Sequence, residues 1–191
     1  MKTIILASAS PRRKEILALT GLKFRVEKRD FHEDMDLNMS PRKLSQHVSR
    51  EKAMTVVDTY DNALVIAADT FIVFREKILG KPHTKEEARR MLKMLNGKVH
   101  KVITGFTIID TDDRKLVSQS VETKVYLKRI TMKEIESYVQ TKEPLDKAGA
   151  YAIQGLGAVL VEKIEGDYFN VVGLPLSAVT ESLKCFEIYV L

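Results

Sequence analysis

The chain has 191 residues, 45% of them hydrophobic and 30% charged, a balance that suits a globular protein and is too apolar for a disordered one. Its 31 basic and 26 acidic residues leave a formal charge of +5, dispersed rather than gathered into the stripe, with interleaved aromatics or zinc spacing, that marks a nucleic-acid module. No run is long enough to cross a bilayer, no separate apolar leader precedes the first strand, and the single cysteine rules out an internal disulfide. The expectation is one cytoplasmic domain with room for two lobes, and Cys185, in an apolar neighbourhood, is expected as a packed thiol.

Thr3 to Ala7 is β-branched and apolar on both faces, the pattern of a central strand. Ser8, Ala9 and Ser10 then allow close approach of backbone to a ligand, and Ser10 followed by Pro11 predicts a capped helix start. The first turn carries Arg12, Arg13 and Lys14 where the helix dipole favours acids. Two readings fit: a solvated basic face, or a phosphate cradle made of these cations, the two hydroxyls and the helical N–H groups. On the cradle reading, Arg13→Ala is expected to weaken use of a phosphate ligand far more than it alters folding, and the loss of an unfavourable cation from the first turn is expected to raise stability slightly, if it changes it.

Gly21 stops this helix, Phe24–Glu27 alternates as a strand, and Asp30, Glu33, Asp34 and Asp36 form an acidic loop that ordinarily is solvated surface. Ser40-Pro41 opens a long amphipathic helix over about 41–60. Residues 63–68 read as a second strand apolar on both faces, with Asp69-Thr70 at its end, before extended structure resumes at 71–74. Asp69 is there either a turn cap or a carboxylate placed for chemistry. Arg75-Glu76-Lys77 predicts a hairpin tip, Thr84 with Glu87 a capping box for a helix to Leu95, and Asn96-Gly97 its end.

Val99–Asp110 and 115–127 read as an antiparallel hairpin, and Thr131 with Glu134 caps a helix to about Thr141. A glycine-bearing loop covers 146–157, followed by extended runs at 158–164 and 170–174 and a last helix over about 176–189. Gly155-x-Gly157 lacks the third glycine of a dinucleotide fingerprint, and no P-loop is present. Histidines 32, 47, 83 and 100 lack ligand spacing, so a zinc site is not expected, and His100 is read either as structural or as a support behind the site residues.

S-x-S-P-R-R after the first strand, REKA at 50–53, AADT at 67–70, GKP at 80–82 and PLDKAGAYAIQGLGA at 144–158 occur in that order along nearly the whole chain. Together they resemble the Maf family of nucleotide pyrophosphatases. The resemblance implies an elongated α/β fold with a central mixed sheet, flanking helices and two lobes around a cleft, related to inosine triphosphate pyrophosphatases. It implies hydrolysis of a nucleoside triphosphate to the monophosphate and pyrophosphate. Ser8, Ser10, Arg12, Arg13, Lys52 and Lys81 would hold the phosphates, and Glu33 and Asp69 would bind Mg2+ or Mn2+ and serve catalysis. Arg12, Thr70 and Gln154 correspond to the positions that separate the dTTP/UTP branch from a 7-methyl-GTP branch, and this chain resembles the former. From the residues alone, Lys52 reads by default as a surface ion-pair partner and Gln154 as a loop amide bonded to nearby backbone. A non-catalytic regulator of septum formation and a nucleic-acid module stand as alternatives, and a homodimer is left open.

Overall fold

The computed structural model describes residues 2–29 and 37–191. The acidic loop containing Glu33 lies outside them. The elements are β1 (Thr3–Ala7), α1 (Pro11–Ala18), β2 (Phe24–Glu27), α2 (Pro41–Val57), β3 (Ala63–Phe74), β4 (Lys77–Leu79), α3 (Lys85–Leu95), β5 (Val99–Asp110), β6 (Leu116–Leu127), α4 (Met132–Gln140), β7 (Val161–Glu165), α5 (Tyr168–Val172) and α6 (Leu176–Leu183). Seven strands form one sheet in the order β2-β1-β3-β5-β6-β7, with β4 paired to β3. It is mixed, as expected: β1 runs parallel to both β2 and β3, while β3–β4 and β6–β7 are antiparallel.

By internal contacts the chain divides into two compact units. The first comprises Met1–Thr70, Thr104–Val121 and Phe169–Leu191, the second Phe71–Ile103 and Glu122–Tyr168. In the first unit α2 lies along one face of the sheet. Ala53, Val56 and Val57 recur at helical spacing and bury against Ile5 and Ala7 of β1, Ala63, Val65 and Ala67 of β3, and Ile109 of β5. The same helix stripe continues through Ser49, whose hydroxyl meets Thr107 Oγ1 at 2.8 Å, to Ser45. A Cβ on Gly105 would stand 2.2 Å from the Ser45 carbonyl group, so only glycine lets the helix backbone settle there. Alternate residues 105, 107 and 109 of β5 thus set the seating of α2.

In the second unit, Arg75 and Glu76 both take positive φ, 50° and 62°, in the two-residue turn from β3 to β4. Such a turn matches the twist of a hairpin, which is why two non-glycine residues tolerate it. Thr131 and Glu134 form the complete capping box of α4. At α3 only half of that pattern appears: Thr84 accepts from Glu87 N–H, but the Glu87 carboxylate takes the N–H of His83, one residue outside the cap.

Five expectations are corrected. β3 is a single strand of 12 residues rather than two, buried along its length except at Thr70. Residues 168–172 are helical, not extended, because the Phe169 carbonyl captures the N–H groups of Gly173 and Leu174 and closes the turn. The run after Gln154 is first a 3-10 turn, Gly155–Leu160, and only then β7. The final helix stops at Leu183, a short 3-10 turn follows, and Cys185 is exposed rather than packed. Among the described residues no helix is long and apolar enough to cross a membrane.

Candidate active site

β1 and β3 are parallel and in register, Leu6 opposite Ile66, so Asp69 and Thr70 lie just past the point where β1 ends, while β3 continues to Phe74. From β1 the chain turns through Ser8 into α1. Ser10 caps the helix, its hydroxyl oxygen accepting from Arg13 N–H at 3.5 Å, with Pro11 inside the first turn and no acid there. Ser8 Oγ accepts from Ser10 N–H at 3.2 Å. Both hydroxyls are engaged as acceptors and keep an O–H to donate, which is what an anion requires.

Arg13 is not the solvated cation that charge patterning suggests. Its Nε donates to the Gly173 carbonyl at 2.8 Å, and its terminal nitrogens reach Ser8 Oγ at 3.4 Å and Thr70 Oγ1 at 3.3 Å. Thr70 in turn meets Thr104 Oγ1 at 2.9 Å, and Thr104 donates to the Asn170 carbonyl at 2.8 Å. The guanidinium is therefore oriented by α5, β3 and β5 together. Gly173 sits at φ +129°, and a Cβ there would come within 3.5 Å of both Arg13 Nε and Thr70 Oγ1. Thr104, Gly173 and the Asn170 carbonyl belong to the site but carry no motif; a backbone carbonyl leaves no trace in side-chain pattern. These bonds are a stabilising contribution that the dipole argument for Arg13→Ala leaves out. Arg12 is half-buried and Lys14 exposed.

Asp69 follows Ala63, Val65 and Ala67 on the face of β3 that α2 covers. It is 6% exposed, and Lys52, one residue before Ala53 on α2, donates to its Oδ1 at 2.5 Å. Lys52 is thus an ion-pair partner, though of a buried carboxylate and not of a surface one. Because side chains alternate along a strand, Thr70 faces the other way. Two consecutive residues of β3 therefore address a cation on each side of the sheet, Lys52 from α2 and Arg13 from α1.

Lys81 and Gln154 lie in the second unit. Gly149 N–H donates to the Gly80 carbonyl at 3.0 Å, which joins the stretch before Lys81 to the 3-10 turn after Lys147. Lys81 is exposed and Gln154 half-buried. Gly149 and Ala150 both take positive φ, 65° and 63°, and a Cβ on Gly149 would stand 2.9 Å from Ile72 Cδ1. Behind this segment His100 Nε2 and the Tyr151 hydroxyl share a hydrogen bond of 2.6 Å, their rings edge to face. Burial depresses the imidazole to about 4 and raises the Tyr151 phenol above its ordinary range. Among the described residues nothing hydrogen-bonds His100 Nδ1. The buried partner of His100 is thus Tyr151.

The first unit thus presents two hydroxyls, an oriented guanidinium, the N-terminus of α1 and a buried carboxylate–ammonium pair where β1 ends beside the continuing strand β3. That arrangement defines an α/β protein able to hold a polyanion beside a carboxylate. The Maf-like protein model matches residues 3–186. A dTTP/UTP pyrophosphatase of Thermoanaerobacter pseudethanolicus is 50% identical over 182 residues, covering 95% of each chain. One of Methanosarcina barkeri is 51% identical over 177 residues, 92% of this chain and 90% of the relative, and one of a Geobacillus species is 47% identical over 184 residues, 96% and 98%. The chain belongs to the Maf family.

Proposed function

We propose that the chain is a nucleoside triphosphate pyrophosphatase acting on dTTP and UTP, with the nucleoside monophosphate and pyrophosphate as products. The observation that carries this reading is Asp69, buried in β3 against Lys52 and one residue from the hydroxyl that meets Arg13. Relatives of about half identity bearing that activity in their names support it. Water attacks the α-phosphorus, the bond to the α–β bridging oxygen breaks, and Asp69 accepts the proton that the water loses. Lys52 shares its charge between Asp69 and the phosphates, while Ser8, Ser10, Arg12, Arg13 and Lys81 bind phosphate oxygens.

The donor set suits a hard divalent ion, Mg2+ or Mn2+, of the kind held by one or two carboxylates together with the phosphates themselves. Asp69 is one such donor; no cluster of three or more His, Cys, Asp and Glu occurs among the described residues, and Glu33 lies outside them. Bound there, the ion would acidify water and neutralise phosphate charge. The Gln154 amide, both donor and acceptor, suits the N3–H and carbonyl edge of uracil or thymine. Thr70 is committed to Arg13 and Thr104, so its influence on base choice, shared with Arg12, runs through the guanidinium. Incubation with a panel of nucleoside triphosphates and Mg2+ should release pyrophosphate from dTTP and UTP. Binding of these nucleotides without pyrophosphate release would overturn the reading.

A further inference from the structure

Three residues beyond Gln154, in a segment without strand or α-helix, the backbone is fastened by a side chain that no motif assigns. Glu143 lies in the 3-10 turn after α4. Its Oε1 accepts from Gly157 N–H at 2.9 Å and from the Tyr138 hydroxyl at 2.9 Å, and its Oε2 accepts from Leu156 N–H at 3.1 Å. Gly155 takes φ +67°, and a Cβ there would be 2.9 Å from Glu143 Oε2, so the carboxylate fills the inside of the bend. Gly157 is equally confined, a Cβ on it standing 2.5 Å from the Tyr138 oxygen and the Ala152 carbonyl. Burial raises the Glu143 pKa, but the Gly157 N–H, the Tyr138 hydroxyl and the Leu156 N–H outweigh it and hold the net value below the usual carboxylate range.

We infer that Glu143 is a positioning residue for base selection: its carboxylate, by gathering the amides of Leu156 and Gly157 and the Tyr138 hydroxyl, fixes the backbone from which Gln154 presents its amide. On the other side of Gln154 the same segment is tied down by Tyr151 on His100. A glutamine selects a base edge only if its backbone is held, because hydrogen bonds fade over tenths of an ångström and a loose loop would follow whatever base arrives. An ionised carboxylate is suited to the task, since it accepts at both oxygens without needing a proton of its own. Glutamine in its place has one acceptor oxygen and would turn an NH2 group toward a backbone N–H.

This inference rests on the proposed role of Gln154, and the test separates the two. The ratio of kcat/KM for UTP over 7-methyl-GTP is measured for the parent chain, Glu143→Gln, Gln154→Ala and the double variant. Glu143→Gln is expected to lower the ratio about tenfold, the size of one hydrogen bond to a charged acceptor, through KM for UTP with kcat nearly unchanged. In the double variant the loss should not exceed that of Gln154→Ala, because both act through one amide. If Gln154→Ala lowers the ratio and Glu143→Gln does not, Glu143 is structural and the inference falls while the reading of Gln154 stands. If Gln154→Ala leaves the ratio unchanged, both fall. Should Glu143→Gln fail to fold, Tyr138→Phe removes one of the three donors and must lower the ratio in the same direction for the inference to hold.

Discussion

The turn from β1 into α1 and the arch over residues 143–157 hold their side chains in place by different means. The first stands where β1 ends beside the continuing strand β3, with a capped helix and a second helix seated by the Gly105 contact, so regular backbone fixes Ser10, Lys52 and Asp69 before any side chain is considered. The arch has only short 3-10 turns, and Glu143, Tyr138, His100 and Tyr151 do the holding. Of the groups proposed to serve any triphosphate, Ser10, Lys52 and Asp69 sit on or cap regular elements, whereas the amide proposed to read the base sits where a few side-chain changes could move it. Chemistry and choice are separately adjustable.

The sharpest test of the first region is its carboxylate. Asp69→Asn keeps size but removes charge, and turnover of dTTP with Mg2+ should fall about 10³-fold, the scale of lost general-base catalysis, while the protein melts close to the parent. Parent-like pyrophosphate release would remove Asp69 from the mechanism. Next comes the seating of α2. Gly105→Ala forces a Cβ into the Ser45 backbone and should cost about 3 kcal/mol or more, read as a lower denaturation midpoint, whereas alanine accommodated without loss would show that the helix seat is soft.

The arch is probed by pH. His100 is depressed to about 4 in the folded chain against about 6.5 when unfolded, so between these values the unfolded chain binds a proton that the folded one refuses. Stability therefore falls as pH drops from about 6.5 to about 4, by about 3 kcal/mol at most, and levels off below. His100→Gln, which can still bond Tyr151, should flatten that part of the profile. An unchanged profile would mean that other groups set it. The smallest effect returns to the first region: Arg13→Ala forfeits the Gly173, Ser8 and Thr70 bonds and should lower stability by about 1–2 kcal/mol, together with a rise in KM for triphosphate. A stability gain would mean that the dipole penalty outweighs the bonds.

Much of this was legible in the chain. Ser10 and Ser40 declared helix starts because a hydroxyl ahead of proline has few other uses, and both accept from the N–H three residues on. Thr131 with Glu134 and the two-sided apolar run of β1 were equally plain. Asp69 was misread as a strand end because a charge in an apolar strand normally terminates it; Lys52, distant in sequence, removes that penalty. Residues 170–174, Asn-Val-Val-Gly-Leu, have strand propensity, and the helix at 168–172 exists through the Phe169 carbonyl and the burial of Asn170, which are tertiary facts. The holding bonds of the arch were invisible for the same reason: Glu143 and Leu156 are far apart in any local pattern.

The paired left-handed residues Gly149 and Ala150 bear on the order of folding. An alanine at φ 63° is disfavoured by about 1–2 kcal/mol in an isolated chain, so the segment gains nothing by adopting this shape early. The compensating groups, the Gly80 carbonyl and the Ile72 side chain, become available only when the β3–β4 hairpin has formed. The arch is therefore expected to close late, onto structure already made, so that weakening its contacts speeds unfolding and leaves the folding rate nearly unchanged.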